Sequence, residues 1–409
     1  MRDLLFLTHR IPYPPNKGDK IRAWHMLDYL RRHFRVHLGC FIDDPQDHQH
    51  VAMLQALCAS SCCVDQSPRA ARLRSLRGLL SGEALSLPYY RDAELANWVA
   101  HTLRQHPIAS ALAFSGPMAQ YLPARSRGNP LHRVLDLVDV DSEKWLDYAT
   151  TQPWPLAALY RREARRLLAF EQSSADQLDA VTLVSSAEAE LFRRRAPGAA
   201  HKISHFNNGV DSDYFAPQPG VATPYPERHT VLVFTGGMDY WPNVEAVRWF
   251  AWRVLPSLRL QCPALHFYIV GARPTDRVRA LQALPGVHVT GGVPDIRPYL
   301  QHALAAVAPL RIARGVQNKV LEAMAMEKTV VASPQALEGL SAVAGFELLR
   351  ADDGAAFIRQ LSDLLANPAS PAIGSAARQR VLLDYSWSRN LRGLGGLLGV
   401  DAHQPESVA

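Results

Sequence analysis

The sequence predicts an α/β protein of two domains, each a largely parallel sheet covered by helices. Short apolar runs alternate with amphipathic helical stretches along almost the whole chain of 409 residues, the pattern of strands buried between helical layers. A Pro-rich stretch with little periodicity, FAPQPGVATPYPERH (215–229), falls near the midpoint and marks a linker. The length also asks for more than one core, at about 100–200 residues per domain.

In the first half the strand candidates are LLFLTH (4–9), VHLGCF (36–41), CCV (62–64), ASALAFSG (109–116), HRVLDLVDV (132–140) and AVTLVSS (180–186). Between the first two, Ile21, Trp24, Leu27, Leu30 and Phe34 recur at helical spacing, which predicts a helix over 19–34 with Asp19 as its N-cap. A longer helix is expected over 156–178. After the Pro-rich stretch the alternation restarts with VLVFTGG (231–237), LHFYIVG (265–271), VHVTGG (287–292), AAVAPL (305–310) and TVVAS (329–333). The Gly/Leu-rich GLGGLLG (393–399) is the one low-complexity piece.

Composition excludes several classes. With 48% hydrophobic, 20% charged and 8% aromatic residues, the chain is neither disordered nor a coiled coil. The formal charge of +6 is modest and comes from arginine clusters at 72–77, 161–166 and 193–195. Each suits phosphate or anionic lipid, or is simply a solvated helix face. No aromatic residues interleave with them, so nucleic acid is not an expected partner. Five cysteines without a CxxC pair read as reduced thiols. The N-terminus does not read as a signal peptide and no run of 18 apolar residues occurs, so the expected location is cytoplasmic, with peripheral contact at the inner face of the cell membrane as an option.

The motifs that carry chemistry lie at strand ends. A P-loop signature GxxxxGK[ST] is absent, and GLGGLLG has neither the spacing nor the following βα unit of a dinucleotide fingerprint. What remains are Gly-bearing strand-to-helix turns, able to hold a diphosphate on backbone N–H groups and a helix N-terminus. In RGVQNKVLEAMAMEKTVVAS (314–333), Gly315 permits close backbone approach and a helix is expected from Val316 onward. Lys319 and Glu322 then share a face, suited to phosphate and to ribose hydroxyls respectively, or to an exposed i,i+3 ion pair. In THRIPYPPNKGDK (8–20), His9 and the loop bearing Gly18 sit where α/β proteins bind ligands, although a rigid connector would read the same. Asp139 and Asp141 follow a strand at its C-terminal end, placed to assist an acceptor hydroxyl or to orient His9. A DxD pattern also suits a metal-dependent transferase, but the two-halved pattern argues against that, and DSD (211–213) reads as turn residues. The run DDPQDHQH (43–50) reads as a polar loop entering a helix.

The block NKVLEAMAMEKTVVAS resembles the C-terminal donor-binding signature of the retaining GT-B glycosyltransferases of family 4. HFNNGVDSDYF (205–215) and TGGMDYWPNVEA (235–246) resemble segments of the same family. FLTHRIPYPPNKGDKIRA (6–23) and LVDVDSEKW (137–145) are closer still to the sugar transferases of PEP-CTERM/exosortase exopolysaccharide systems. The resemblance implies a GT-B architecture of two Rossmann-like domains facing each other across a cleft. An acceptor domain would span 1–215, a linker 216–229, a donor domain 230–385, and a helix over 386–400 would cross back to the first domain.

It also implies a retaining transfer from a nucleotide diphosphate sugar to a lipid-linked or saccharide acceptor, without a metal or other cofactor. Glu322 would hold the ribose and Lys319 a phosphate. Gly236, Gly237, Gly315 and Asn318 would line the donor, and Gly18 would lie near the transferred sugar. His9, Asp139 and Asp141 are the catalytic candidates from their places at strand ends rather than from the resemblance, with one of the aspartates assisting the acceptor hydroxyl or orienting His9. Two departures stand out: many members carry a glutamate eight positions before the ribose residue, where this chain has Arg314, and the turn after the first donor-domain strand lacks the usual Arg and Lys. Phosphate neutralisation then falls to Lys319, Arg314, Arg311, Arg10 or Lys17. A GT-B-type nucleotide-sugar epimerase and a non-catalytic nucleotide-sugar binding protein are the alternatives.

Overall fold

A computed structural model describes residues 1–124, 131–313, 315–367 and 372–400. The chain forms two compact units, one of residues 1–207 together with the chain from Leu391 onward, the other of Asn208–Asn390. The Pro-rich stretch therefore lies inside the second unit. Tyr225 anchors it there: the ring is buried against Tyr268 and Tyr299, and its hydroxyl donates to the Tyr299 carbonyl at 2.6 Å.

Among the described residues the first unit holds seven strands: β1 (Arg2–Thr8), β2 (Phe34–Ile42), β3 (Ser60–Asp65), β4 (Ile108–Phe114), β5 (His132–Val138), β6 (Ala180–Leu183) and β7 (Ile203–His205). Their order is β3-β2-β1-β4-β5-β6-β7, and every pairing is parallel. The second unit holds β8 (Thr230–Thr235), β9 (Leu265–Val270), β10 (Val287–Gly291), β11 (Ala305–Ala308), β12 (Val330–Ala332) and β13 (Leu349–Arg350), ordered β10-β9-β8-β11-β12-β13 and again parallel. Central strands such as Leu4–Leu7 and Val231–Phe234 are shielded on both faces, which is why they read as unbroken apolar runs rather than alternating ones. β7 and β13 escape the sequence reading because three and two residues carry no periodicity.

Two helix starts differ from expectation. The first helix is Gly18–His33, with Lys17 at the cap position and no side-chain cap. Asp19 is drawn away to His9 and Arg10 and so lies in the first turn. The helix after β11 begins at Asn318 rather than Val316. Gly315 takes a left-handed φ of +66° and Gln317 is extended, so the chain turns once more before coiling. The long helix Leu156–Gln177 matches its expected span.

The glycine-rich tail belongs to the helix Trp387–Leu397, which begins in the second unit and ends in the first. A Cβ on Gly395 would stand 2.1 Å from the Tyr29 hydroxyl, so glycine there allows the helix to lie against the first-unit helix Gly18–His33. Buried charge ties the same region together. Arg22 donates to Asp136 of β5 at 2.9 Å and to the Phe206 carbonyl at 3.1 Å, its guanidinium 3.8 Å from the Phe206 ring centroid. Removing one partner of so deeply buried a pair costs about 3–5 kcal/mol.

Candidate nucleotide-sugar site

Both sheets reverse their strand order at one point, between β1 and β4 in the first unit and between β8 and β11 in the second. Parallel sheets bind ligands outside the carboxyl ends of strands at such a point, because the loops there diverge to opposite faces and leave a crevice.

In the second unit, β8 ends at Thr235 and the chain turns through Gly236 and Gly237. Gly236 has φ +148°, and Gly271, after β9, has φ +157°. A Cβ on Gly271 would lie 1.7 Å from the Gly236 carbonyl oxygen, so the two turns touch backbone to backbone. Asn243 on the following helix donates from Nδ2 to the Gly237 carbonyl at 2.8 Å and accepts from Lys319 Nζ on its Oδ1. The Lys319 ammonium thus lies over the turn. It is 4.6 Å from the Phe234 ring centroid and 3.3 Å from where a Cβ of Gly236 would stand.

Asn318, at the start of the helix Asn318–Ala325, accepts from Asn208 Nδ2 at 3.2 Å. Glu322 follows one turn after Lys319, both half-buried. Burial lowers Lys319 to about 7, opposed by the charge of Glu322. Burial likewise raises Glu322 to about 7, opposed by Lys319. Neither charge is solvated as at a free surface, so an anion beside Lys319 would restore its proton. Gly236, Gly237, Gly315, Asn318, Lys319 and Glu322 are all in this unit, with the first two and Lys319 in direct proximity. Arg314 lies outside the described residues, and Arg311 is exposed.

In the first unit the residues expected at the acceptor fall into two groups. His9, just past β1, has Nε2 3.0 Å from Asp19 Oδ2 and its ring stacked near Phe114 and edge-on to Tyr90. Arg10 donates to Asp19 at 2.6 Å and to Asp43 at 2.8 Å. Although burial opposes ionisation of Asp19, hydrogen bonding and charge from His9 and Arg10 hold it well below the usual carboxylate range. Arg10 is therefore already neutralised by two carboxylates and is no spare cation for a phosphate.

Asp139 and Asp141 form the second group. Lys144 Nζ bridges them, 2.6 Å from Asp139 and 3.0 Å from Asp141. The carboxylate in contact with His9 is Asp19, not Asp139 or Asp141, a correction with a simple cause: Asp19 lies next to the β1 loop, whereas Lys144 of the helix Asp141–Thr151 holds the other two. Gly18 is exposed at the start of the first helix, beside Asp19 in sequence.

Two backbone outliers flank this edge. Ser115 after β4 has φ +79° and Val138 at the end of β5 has φ +69°. A β-branched residue in that region costs on the order of 1–3 kcal/mol. The Asp136 carboxylate compensates by accepting from the Val138 N–H at 3.0 Å. Three polar atoms at the same edge, His9 Nδ1, Asp43 Oδ1 and Asp139 Oδ1, are buried without a hydrogen-bond partner, the condition in which a ligand group is most favourably received. The sequence reading missed Asp19, Asp43 and Asn243. Only Asn243 had a local signal, its place in the turn segment after β8.

Two all-parallel α/β units with a final helix returning to the first define the GT-B fold. Residues 229–367 match the family model of Glycosyl transferases group 1. No curated protein matches the chain in sequence. Among solved structures, sucrose-phosphate synthase from Thermosynechococcus elongatus aligns with a TM-score of 0.70 at 16% identity, over 97% of this chain and 98% of that one. HepE from Anabaena in complex with UDP aligns at 0.67 and 16%, over 97% and 99%, and the same protein has been solved with UDP-glucose. WaaG, a glycosyltransferase involved in lipopolysaccharide biosynthesis, aligns at 0.64 and 15%, over 97% and 100%. At such identities the likeness is one of fold.

Proposed function

We propose that the protein is a retaining glycosyltransferase that moves a sugar from a nucleotide diphosphate sugar to a lipid-linked or saccharide acceptor in exopolysaccharide assembly. The observation that carries this reading is Lys319 held by Asn243 over the bare Gly236 turn, at the switch point of a unit that matches a glycosyltransferase family model. A diphosphate seated there would accept from turn N–H groups and face one ammonium, while Glu322 would accept from ribose hydroxyls. The complexes of HepE with UDP and UDP-glucose favour a uridine nucleotide.

In the reaction, the acceptor oxygen bonds to the anomeric carbon as the bond from that carbon to the diphosphate oxygen breaks. The diphosphate leaves with the electron pair and takes up the hydroxyl proton, so no metal or further cofactor is required by the balance. Lys319 stabilises the charge that develops on the leaving group. The His9–Asp19 pair and the Asp139 carboxylate, each with an unpartnered buried atom, would position acceptor hydroxyls.

A peripheral membrane role is supported by the helices Pro68–Ser75 and Arg77–Ser81. Leu73, Leu76 and Leu80 are exposed there beside Arg69, Arg72 and Arg77, with Leu80 at 94%. Apolar side chains among arginines suit an anionic bilayer surface. No helix among the described residues is long and apolar enough to cross a membrane. At low salt the protein should sediment with anionic but not neutral liposomes; equal partitioning would remove the membrane from the reading.

The function is tested by measuring binding and turnover with UDP-, GDP- and ADP-sugars, with and without EDTA. One donor should bind and persist until an acceptor is added. Rearrangement of the donor alone would instead indicate an epimerase, and binding without turnover on any acceptor a non-catalytic protein.

A further inference from the structure

The end of the second sheet away from the glycine turn carries a cluster that the proposed transfer does not use. His229 immediately precedes β8, His266 is the second residue of β9 and His288 the second of β10, so three neighbouring strands each present one imidazole at their N-terminal ends. One ring nitrogen from each lies within 4.8 Å of the other two. His266 Nδ1 and His288 Nε2 are 2.8 Å apart, which requires a proton shared between them.

We propose that His229, His266 and His288 form a binding site for a divalent transition metal of the zinc class. Three neutral imidazoles with an open fourth position are a donor set that zinc accepts, with metal–nitrogen bonds of about 2.0–2.1 Å. Tetrahedral ligands at that length stand about 3.4 Å apart, so the 2.8 Å pair must open slightly and the third ring must close in. His229 stacks on His266 with centroids 3.5 Å apart and planes 11° from parallel. Parallel rings cannot both point at one ion, so His229 rotates on binding and gives up its 3.4 Å contact with the Tyr268 hydroxyl. All three rings are partly exposed, which leaves the ion a path in.

Tyr268 stacks on His288 and supports its orientation. Arg259, bound to the Leu265 carbonyl, places a positive charge that acts on His266 and His288 and works against a cation. The site is therefore weaker than one backed by a carboxylate. Because His229 closes the Pro-rich stretch, the metal would fasten that stretch to two strands of the sheet. Six residues of β8 separate it from the glycine turn, about 20 Å at strand spacing, so its role is structural.

The test uses the untagged full chain, stripped with EDTA and desalted, then titrated with Co²⁺ and Zn²⁺. We expect one equivalent of Co²⁺ with the intense visible bands of four- or five-coordinate cobalt, displaced by Zn²⁺, and a metal-dependent rise in Tm. The variant carrying His229→Gln, His266→Gln and His288→Gln should lose the bands. Since that variant alters packing in the sheet, His229→Gln alone serves as the second arm: its metal-free Tm should match wild type while affinity falls at least about tenfold. Nucleotide binding by the stripped protein should be unchanged, which separates this proposal from the donor reading. Equal uptake by wild type and both variants, or a pale six-coordinate cobalt spectrum alone, overturns it.

Discussion

The carboxyl edges of the two sheets solve opposite problems. In the first unit the edge is crowded with charge that the protein neutralises itself: Arg10 between Asp19 and Asp43, and Lys144 between Asp139 and Asp141. In the second unit the turns at the edge carry glycine at 236, 237 and 271 and one exposed ion pair, Arg273 with Asp239, and among the described residues Lys319 is bound to an amide rather than to a carboxylate. A self-neutralised edge can orient hydroxyl groups without attracting a net charge, whereas an ammonium held by an amide over bare backbone, with Glu322 one turn away as its nearby opposite charge, can take up an anion. Under the proposed transfer, the difference favours the second unit for the nucleotide diphosphate and the first for neutral oxygen.

The contrast is broken most severely at Gly271. In the Gly271→Ala variant the new methyl would overlap the Gly236 carbonyl at a φ that alanine avoids, so the second unit should lose several kcal/mol, about 3 or more. Denaturant unfolding would show it, with the first unit's transition least changed.

The next effect is catalytic. His9→Ala, which loosens the placing of the acceptor hydroxyl, should lower kcat by about 10²-fold, and Asp19→Asn should lower it less, both without altering donor affinity. A parallel loss of donor binding would mean that the first edge also holds the diphosphate.

Lys319→Ala is expected to weaken nucleotide affinity by about 10- to 100-fold, the worth of a charged hydrogen bond. In wild type the affinity should peak near pH 7: above it Lys319 loses its proton, and below it Glu322 gains one. Glu322→Gln should remove the acid limb and, by withdrawing the charge that opposes the effect of burial on Lys319, move the alkaline limb to lower pH, as isothermal titration across pH 5–9 would report.

The smallest effect is on stability and involves Glu171. This residue of the helix Leu156–Gln177 is raised by burial to about 8, despite accepting from the Ser142 N–H and hydroxyl at 3.2 and 2.6 Å. The folded state holds a proton that the unfolded chain releases near the ordinary value of 4.5. The stability this gives is full below pH 4.5 and is lost as pH rises through about 8. Glu171→Gln should therefore flatten the fall in Tm between pH 5 and 8, regaining on the order of 1–3 kcal/mol at pH 8.

Much of this was legible in the residues. The apolar runs VLVFT and LHFYIV announce strands buried on both faces, and the Gly236–Gly237 and Gly315 turns mark where a backbone must approach a ligand. Lys319 and Glu322 were legible as a pair because three residues in a helix always share a face. The pairing of His9 with Asp19 was not, since the loop between them holds three prolines and its path decides which carboxylate arrives. Asn243 gave no sign of holding a residue 76 positions away.

What the sequence determined by itself was the alternation of buried strand and covering helix, and hence two parallel sheets, because local periodicity and glycine conformation are properties of neighbouring residues. The tertiary structure alone decided which charges cancel. Electrostatic partners such as Arg22 with Asp136, Lys20 with Asp47 and Lys319 with Asn243 are chosen by strand order and loop path. Burial sets how much each pairing matters, and neither strand order nor burial can be read from the spacing of the residues.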